Sequence, residues 1–256
     1  MAIQPHISDL LQKYFDKIFV VSIPRFAERH KKVEKHLQGL QFDFFWGADK
    51  LQQDMATIQK DGTYDDAKTK ELHRFGKGLN LGEVACSLSH RMVYEQMIAH
   101  NWKRVLIFED DVLPLYESLD QLPAAINELP PDWELLYLGY LKHEKVTFGL
   151  RIKQFFYKIG SGIGLMKWSN IMVRNLLPKK ISPHLKKAGF HDCTHAYAVT
   201  LEAAKKLVAA QTPVVYRADD LLSYNVMKEN IKGFVTEPKF FDQEAFHDKR
   251  ILSDIR

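Results

Sequence analysis

The chain has 256 residues, of which 46% are hydrophobic and 27% charged. This length and composition fit one sizeable soluble domain that can bury a full α/β core. The two cysteines, Cys86 and Cys193, form neither a disulfide framework nor a zinc-binding spacing, which favours a reducing compartment. The N-terminus lacks a signal-peptide core, and no window holds about 18 uncharged apolar residues. We therefore expect a cytoplasmic protein without a membrane span.

Charge is distributed unevenly along the chain. The net charge is +4, from 36 basic and 32 acidic residues. Residues 145–191, here called the basic segment, contain ten basic residues and no acidic one, so the rest of the chain holds 26 basic and 32 acidic residues. Aromatic and aliphatic residues lie between these bases, a mixture that suits an anionic membrane surface. A mobile basic loop is the alternative, and nucleic acid is not expected because no recognised nucleic-acid motif is present.

The apolar pattern predicts strands that alternate with helices, as in a mostly parallel α/β sheet. The predicted strands cover residues 17–23, 42–46, 105–108, 133–139, 214–215 and 233–235. The predicted helices cover residues 25–40, 80–100 and 201–210, and residues 196–200 are expected to lead into the last of these. Residues 52–78 are expected to form a loop with one helical turn. Because no repeat or linker interrupts this pattern, we assign residues 1–256 to one domain.

Three consecutive carboxylates, Glu109, Asp110 and Asp111, follow a buried strand. In an open α/β sheet, ligands bind beyond the carboxyl ends of the strands. Strand geometry places Glu109 and Asp111 on one side and Asp110 on the other. Two carboxylates on one side suit a hard divalent cation, which usually keeps part of its coordination shell for a substrate diphosphate. A solvated acidic turn after a core strand is the alternative.

Three further segments have the character of ligand sites. Arg25 and Arg29 follow the first strand and could reach a phosphate or a base, although two solvated arginines would look the same. Small residues near the start of the helix at 80–100 would allow either a ligand or the sheet to approach closely. Asp219 and Asp220 follow the strand at 214–215, where they could cap a helix or supply a general base.

The order of these segments resembles that of glycosyltransferase family 25, which includes bacterial lipopolysaccharide and lipooligosaccharide galactosyltransferases and the collagen galactosyltransferases. The matching segments span roughly residues 18–222 and read FVVSIPRFAER, LGEVACSLSH, VLIFEDDV, THAYAVTLEAAKKL and ADDLL. The resemblance implies a GT-A-type, Rossmann-like fold with a metal-dependent nucleotide-sugar site. It further implies an inverting transfer of a sugar, expected to be galactose, from a UDP-sugar to a lipooligosaccharide or lipopolysaccharide core.

The resemblance also implies roles for individual residues. Asp111 and Glu109 are expected to bind Mn²⁺ or Mg²⁺. His195 is expected to be a further metal ligand or to line the sugar site, with a core or surface histidine as the alternative. Asp219 is the expected base for an acceptor hydroxyl, with Asp220 as its substitute. The residues expected to bind the UDP-sugar are Ser22, Ile23, Arg25, Arg29, Glu83, Ser89, Glu109 and Asp110. The basic segment would face a lipid-linked anionic acceptor at the inner face of the cytoplasmic membrane.

Other protein classes use comparable residues. An aspartyl-phosphate phosphatase needs an aspartate where this chain has Glu109, and a sugar nucleotidyltransferase needs an early glycine-rich loop that this chain lacks. A non-catalytic carbohydrate-binding relative and another nucleotide-sugar-using transferase are the alternatives that stay open. The presence of Glu109, Asp111 and Asp219 together favours an active enzyme.

Overall fold

The structure, a computed structural model, describes residues 1–244. Its strands are β1 (Lys17–Ser22), β2 (Asp43–Trp46), β3 (Arg104–Glu109), β4 (Val112–Pro114), β5 (Leu135–Leu141), β6 (Lys179–Lys180), β7 (Leu185–Lys187), β8 (Asp192–Thr200), β9 (Gly233–Thr236) and β10 (Phe241–Gln243). Its α-helices are α1 (Pro5–Tyr14), α2 (Ala27–His36), α3 (Met55–Lys60), α4 (Asp66–Leu72), α5 (Leu81–His100), α6 (Leu122–Asn127), α7 (Phe148–Gly162), α8 (Asn170–Arg174), α9 (Leu201–Ala210) and α10 (Ala218–Met227). Two short 3₁₀ helices cover Lys50–Gln52 and Leu119–Gln121.

A central eight-stranded sheet has the strand order β2-β1-β3-β8-β5-β9-β7-β6, and a small second sheet pairs β10 with β4. The pairs β2–β1, β1–β3 and β5–β9 are parallel. β8 runs antiparallel between β3 and β5, and β7 runs antiparallel to β9 and β6. Six of the eight strands therefore share one direction, which confirms the predicted α/β fold class with its mostly parallel sheet.

Helices cover both faces of the sheet. Along β3, Val105 and Ile107 pack on one face with side chains of α5, α9 and α10. Leu106 and Phe108 pack on the other face with side chains of α1, α2 and α6. A strand that is buried on both faces reads as an unbroken apolar run, which is the pattern that precedes the three carboxylates.

The helix α5 begins at a capping box. The Asn80 side chain accepts a hydrogen bond from the Glu83 backbone N–H at 2.9 Å, and the Glu83 carboxylate accepts one from the Asn80 backbone N–H at 2.8 Å. The helix ends at Asn101, whose φ of 57° lies in the left-handed region that commonly terminates helices. The predicted helix at residues 80–100 is thereby confirmed.

Three of the predicted elements were wrong. Residues 196–200 are the end of β8 and not the lead into a helix, because this apolar stretch is a central strand buried on both faces. Residues 214–215 form no strand, since Val214 makes only an isolated bridge with Tyr64. Residues 52–78 contain two helices, α3 and α4, which are capped by the side chains of Asp54 and Asp65.

The basic segment is largely regular structure. It contains the helices α7 and α8 and the β6–β7 hairpin, which lies at one edge of the central sheet. Over residues 1–244, no helix is both long enough and apolar enough to cross a membrane.

Candidate functional site

The carboxyl end of β3 presents its three carboxylates in two directions. Asp110 is buried and points toward β1 and α2. Its Oδ2 accepts a hydrogen bond from Ser22 Oγ at 2.5 Å, and its Oδ1 accepts one from Arg29 Nη1 at 2.9 Å. Asp110 therefore connects β3 to the end of β1 and to the first turn of α2.

Glu109 and Asp111 point to the opposite side and meet at Gln243 of β10. The Gln243 amide nitrogen lies 3.4 Å from Glu109 Oε2 and 3.2 Å from each carboxylate oxygen of Asp111. Three carboxylate oxygens thus converge on one amide donor. Their combined negative charge would stabilise a cation at this point. Hard oxygen donors in this arrangement are the chemistry that Mn²⁺ and Mg²⁺ prefer.

The two carboxylates differ in how their charge is compensated. Burial disfavours the charged form of Glu109, but hydrogen bonds from His90 and Thr194 outweigh that effect and lower its pKa. Burial, together with the charges of Glu109 and Asp110, raises the pKa of Asp111 to about 7. A nearby cation would stabilise the ionised form of Asp111, because opposite charge favours ionisation.

A second possible donor group lies on the other side of Glu109. The ligand atoms of Cys86, His90 and Glu109 all lie within 4.8 Å of one another. Tyr197 OH lies 2.7 Å from Nδ1 of His90 and fixes the ring so that Nε2 is 3.3 Å from Glu109. Burial raises the pKa of the Cys86 thiol well above its usual value, and the surrounding carboxylates raise it further. Because a thiol must ionise to bind a metal, this group suits a hard cation less well than Glu109 and Asp111 do.

The second acidic pair lies at the start of α10. Asp220 is buried, and its carboxylate accepts a hydrogen bond from Arg217 Nε at 2.9 Å. Asp219 is partly exposed and receives the backbone N–H of Cys193 at 3.4 Å. Burial and the charge of Asp220 raise the pKa of Asp219 to about 6, although Arg217 opposes this change. Of the two, Asp219 is the group better placed to exchange a proton with a ligand.

Two consecutive residues of β8 link the acidic clusters. The backbone N–H of Cys193 donates to Asp219, and the hydroxyl of the next residue, Thr194, donates to Glu109. Burial raises the pKa of the Cys193 thiol, and the charges of Glu109, Asp219 and Asp111 raise it further. The carboxylates after β3 and those at the start of α10 therefore belong to one site.

Other residues predicted to bind the UDP-sugar already have partners within the protein. Arg29 bonds to Asp110, and Arg25 forms two hydrogen bonds with Asp49 at 2.8 and 3.2 Å. The guanidinium groups of both arginines lie against the ring of Phe26. A phosphate could bind here by sharing or replacing these carboxylate contacts.

Three further predicted residues have structural contacts. Ile23 is buried, and Glu83 completes the cap of α5. Ser89 Oγ accepts the backbone N–H of Ala48 at 2.9 Å, and a side chain at Gly47 would collide with it. These contacts account for all three residues without a ligand, and their role in donor binding stays a prediction.

His195 is buried completely, behind the acidic site. Its Nε2 lies 3.4 Å from the Phe241 carbonyl, and within residues 1–244 its Nδ1 has no hydrogen-bond partner. Burial lowers the pKa of His195, so the imidazole is neutral. A Cβ at Gly139 would come within 2.3 Å of Nε2, so only glycine allows this packing. His195 is not part of the donor group formed by Cys86, His90 and Glu109.

Two residues near these groups were not singled out from the sequence. Gln243 reaches the carboxylates because β10 pairs with β4, directly after Asp111. Trp46, at the end of β2, is 47% exposed, lies beside Ser22 in the strand register, and stacks on Phe44. The exposed tryptophan had a sequence signal, since it ends an aromatic strand; Gln243 had none.

This chain is similar in sequence to members of one known protein family. The family model described as "Glycosyltransferase family 25 (LPS biosynthesis protein)" matches residues 15–222. The chain is 29% identical over 214 residues to human "Inactive glycosyltransferase 25 family member 3", covering 77% of this chain and 29% of that protein. It is 24% identical over 251 residues to human "Procollagen galactosyltransferase 2", covering 88% of this chain and 34% of that protein.

The chain therefore spans about a third of the length of these curated relatives. Among solved structures, the apo crystal structure of mouse xyloside xylosyltransferase 1 is similar with a TM-score of 0.41 and 10% identity, covering 84% of this chain and 69% of that one. The family model matches most of the chain, including both acidic clusters. This chain belongs to glycosyltransferase family 25.

Proposed function

We propose that this chain transfers galactose from UDP-galactose to a hydroxyl group of an anionic, lipid-linked oligosaccharide of the lipopolysaccharide-core type. Family membership supports sugar transfer, and the family description as an LPS biosynthesis protein supports this acceptor. The similarity to procollagen galactosyltransferase 2 supports galactose as the sugar. The strongest structural support is the link that Cys193 and Thr194 make between the two acidic clusters, because donor activation and acceptor deprotonation need carboxylates within one site.

The donor side of the site consists of Glu109, Asp111 and Gln243. Asp111 and Glu109 would hold Mn²⁺ or Mg²⁺, since their oxygens converge where the Gln243 amide now donates. Such a cation, when bound, acts as a Lewis acid that offsets the negative charge of a departing diphosphate. His90 and Thr194 keep Glu109 ionised through their hydrogen bonds, so this carboxylate is available as a ligand at neutral pH.

The nucleotide side is proposed to lie at the ends of β1 and β2. Trp46 offers an exposed ring there, and His30 and Phe44 support it at ring-centroid distances of 5.2 and 5.3 Å. Stacking on an aromatic ring contributes about 1–3 kcal/mol per base. We place the uracil against Trp46, with Arg29 near the phosphates.

Asp219 is proposed to take the proton from the acceptor hydroxyl. The acceptor oxygen then forms a bond to C1 of the sugar, the bond from C1 to the diphosphate oxygen breaks, and UDP leaves with that electron pair. One base and one direct displacement give inversion at C1. Arg217 Nε lies 2.9 Å from Asp220 and 3.8 Å from Asp219, so Asp219 is the less tightly paired carboxylate and the one that we assign as the base.

A non-catalytic relative that binds a nucleotide-sugar is the second candidate. The relatives named inactive in cattle and humans, 28% and 29% identical to this chain, favour it. The two candidates share the donor site and differ in turnover. They can therefore be separated by measuring binding and reaction on the same preparation.

The test is UDP release from UDP-galactose, UDP-glucose and their N-acetyl forms, with a deacylated lipooligosaccharide core as acceptor, in Mn²⁺ and in EDTA. We expect Mn²⁺-dependent release that is fastest with UDP-galactose, lost in Asp219→Asn and kept in Glu117→Gln, which removes an exposed carboxylate outside the site. A melting temperature raised by UDP and Mn²⁺ without release from any donor would support the non-catalytic candidate. No response to UDP in either assay would contradict both.

A further inference from the structure

Exposed apolar side chains are concentrated on and just after α7. Seven of the 13 large apolar side chains exposed within residues 1–244 lie in this one stretch: Phe148, Ile152, Phe155, Phe156, Ile159, Ile163 and Leu165. Phe155 and Phe156 are 60% and 62% exposed, and α7 has no buried residue. Single exposed apolar residues are common on protein surfaces, whereas a contiguous group of this size marks an interaction surface.

The apolar residues of α7 share one face. At about 100° per residue, the six from Phe148 to Ile163 fall within an arc of about 100°. The opposite side of the helix attaches it to the protein. There, Gln154 donates to the Val173 carbonyl at 2.8 Å, and Ser161 donates to the Trp168 carbonyl at 2.7 Å. The apolar face therefore points directly away from the protein.

Basic side chains border this apolar face. Helical spacing places Arg151 and Lys158 along one flank and Lys153 along the other. Lys158 also lines a shallow cleft of about 300 Å³ between α7 and α8, together with Asn170, Ile171 and Arg174. An apolar face with basic flanks matches the boundary between acyl chains and anionic headgroups.

Several other bases of the basic segment lie beside acidic residues. Lys186 pairs with Glu237 at 2.5 Å, and Lys187 lies 3.5 Å from Glu229. These lysines lie in or beside the β6–β7 hairpin at the edge of the sheet, away from the apolar side chains of α7. Within the described part of the basic segment, the one large exposed apolar side chain away from this stretch is Ile181, beside Lys179 and Lys180. The contiguous group of apolar side chains bordered by bases therefore lies on α7 and directly after it.

We propose that α7 is a membrane-docking helix that lies flat on a bilayer containing anionic lipids. Its apolar face would enter the acyl boundary, Arg151, Lys153 and Lys158 would contact the phosphates, and the cleft beside Lys158 would receive an anionic headgroup. A second copy of the chain fits this surface less well, because two α7 helices meeting face to face would bring like charges together. The helix has 15 residues, so it is too short to span the bilayer.

The position of α7 connects this surface to the proposed acceptor side. The ring of Tyr157 packs against Trp168 at a centroid distance of 6.3 Å, and Trp168 packs against Tyr224 of α10 at 6.1 Å. Asp219 lies in the first turn of that same helix. A docked α7 would thus hold the bilayer next to the element that bears the proposed base. This positional argument rests on the proposed function, whereas bilayer binding by α7 does not.

The test is vesicle flotation of the full chain without a donor or acceptor. Vesicles of phosphatidylcholine with phosphatidylglycerol are compared with phosphatidylcholine alone, at low and high salt. Two variants change α7: Phe155→Gln with Phe156→Gln, and Lys153→Gln with Lys158→Gln. Two matched controls change exposed residues elsewhere: Leu51→Gln, at a site 72% exposed, and Lys179→Gln with Lys180→Gln in the hairpin.

We expect salt-sensitive binding to the anionic vesicles that falls about tenfold in each α7 variant and less than about twofold in each control. All four variants change exposed side chains, so each should melt at the temperature of the parent chain. Equal binding by the α7 variants and their controls would overturn the proposal. A second outcome would also overturn it: the parent chain does not bind vesicles, sediments as a dimer, and loses that dimer in the double phenylalanine variant. Because no turnover is measured, a failure of this test is distinct from a failure of the proposed function.

Discussion

The acidic site and the helix α7 have opposite physical character. The acidic site is enclosed, and its charges lie beyond strands whose residues are buried on both faces. α7 has no buried residue and presents phenylalanine side chains to solvent between basic flanks. At the acidic site, burial shifts the pKa values of the carboxylates. On α7, the lack of burial leaves apolar side chains exposed to solvent. We infer that the first region performs chemistry on a small anionic donor, and the second positions the protein on a large anionic surface.

Removing a carboxylate from the acidic site should have the largest effect. Asp111→Asn keeps the shape of the side chain but removes one of the charges that would hold the cation. Turnover of UDP-galactose should fall by about a thousandfold or more, because electrostatic stabilisation by a metal ion contributes several kcal/mol. Steady-state UDP release measures this change, and Glu117→Gln should retain parent activity. Equal activity in Asp111→Asn and Glu117→Gln would show that the cation is not bound there.

The proton-accepting role of Asp219 should be visible in the pH profile. A base works only when ionised, so with a pKa of about 6 the turnover rate should fall as pH drops through 6. Asp220→Asn removes a neighbouring negative charge, which lowers the pKa of Asp219 and should move the acidic limb to lower pH. The rate between pH 5 and 8 would be followed in both proteins. An unchanged limb would indicate that another group controls it.

Trp46 tests how the donor is held. Trp46→Ala should raise the KM for UDP-galactose by about tenfold, as expected for the loss of one stacked base, while kcat changes little. Phe75→Ala, at another exposed aromatic residue outside the proposed donor site, is the matched control. An effect confined to kcat would contradict the placement of the uracil on Trp46.

The contrast between the two regions should also appear in stability. Phe155→Gln with Phe156→Gln should change the free energy of unfolding by less than about 0.5 kcal/mol, because exposed side chains contribute little. Leu106→Ala removes a fully buried side chain of β3 and should cost about 2–5 kcal/mol. Urea denaturation of the three proteins measures both values. A large loss in the phenylalanine variant would mean that α7 packs against the protein through that face.

The sequence predicted the acidic site better than it predicted the surrounding contacts. The apolar run of β3 ends at three charges, and strand alternation alone separates Asp110 from Glu109 and Asp111, as the hydrogen bonds show. Gln243 could not be predicted, because it is 132 residues away from Asp111 and reaches it only through the pairing of β10 with β4.

Two elements show why other predictions failed. The end of β8 is buried on both faces, so its sequence does not alternate between apolar and polar residues. Because β8 also runs directly into α9, its end resembled the start of that helix. In α7, the composition indicated a membrane surface, but only the contacts of Gln154 and Ser161 show which side of the helix faces the protein. Composition thus predicted an anionic membrane surface as the partner, which stays a prediction, and tertiary contacts were needed to choose the face of α7 that we propose binds it.

Binding of Mn²⁺ tests the central claim most directly, because it requires neither an acceptor nor turnover. The electron paramagnetic resonance signal of free Mn²⁺ would be followed as protein is added in the presence of UDP, for the parent chain, Asp111→Asn and Glu117→Gln. We predict that the parent chain and Glu117→Gln bind one ion per chain and that Asp111→Asn does not. No binding by the parent chain, or equal binding by all three proteins, would contradict the assignment of Glu109 and Asp111 as the cation site.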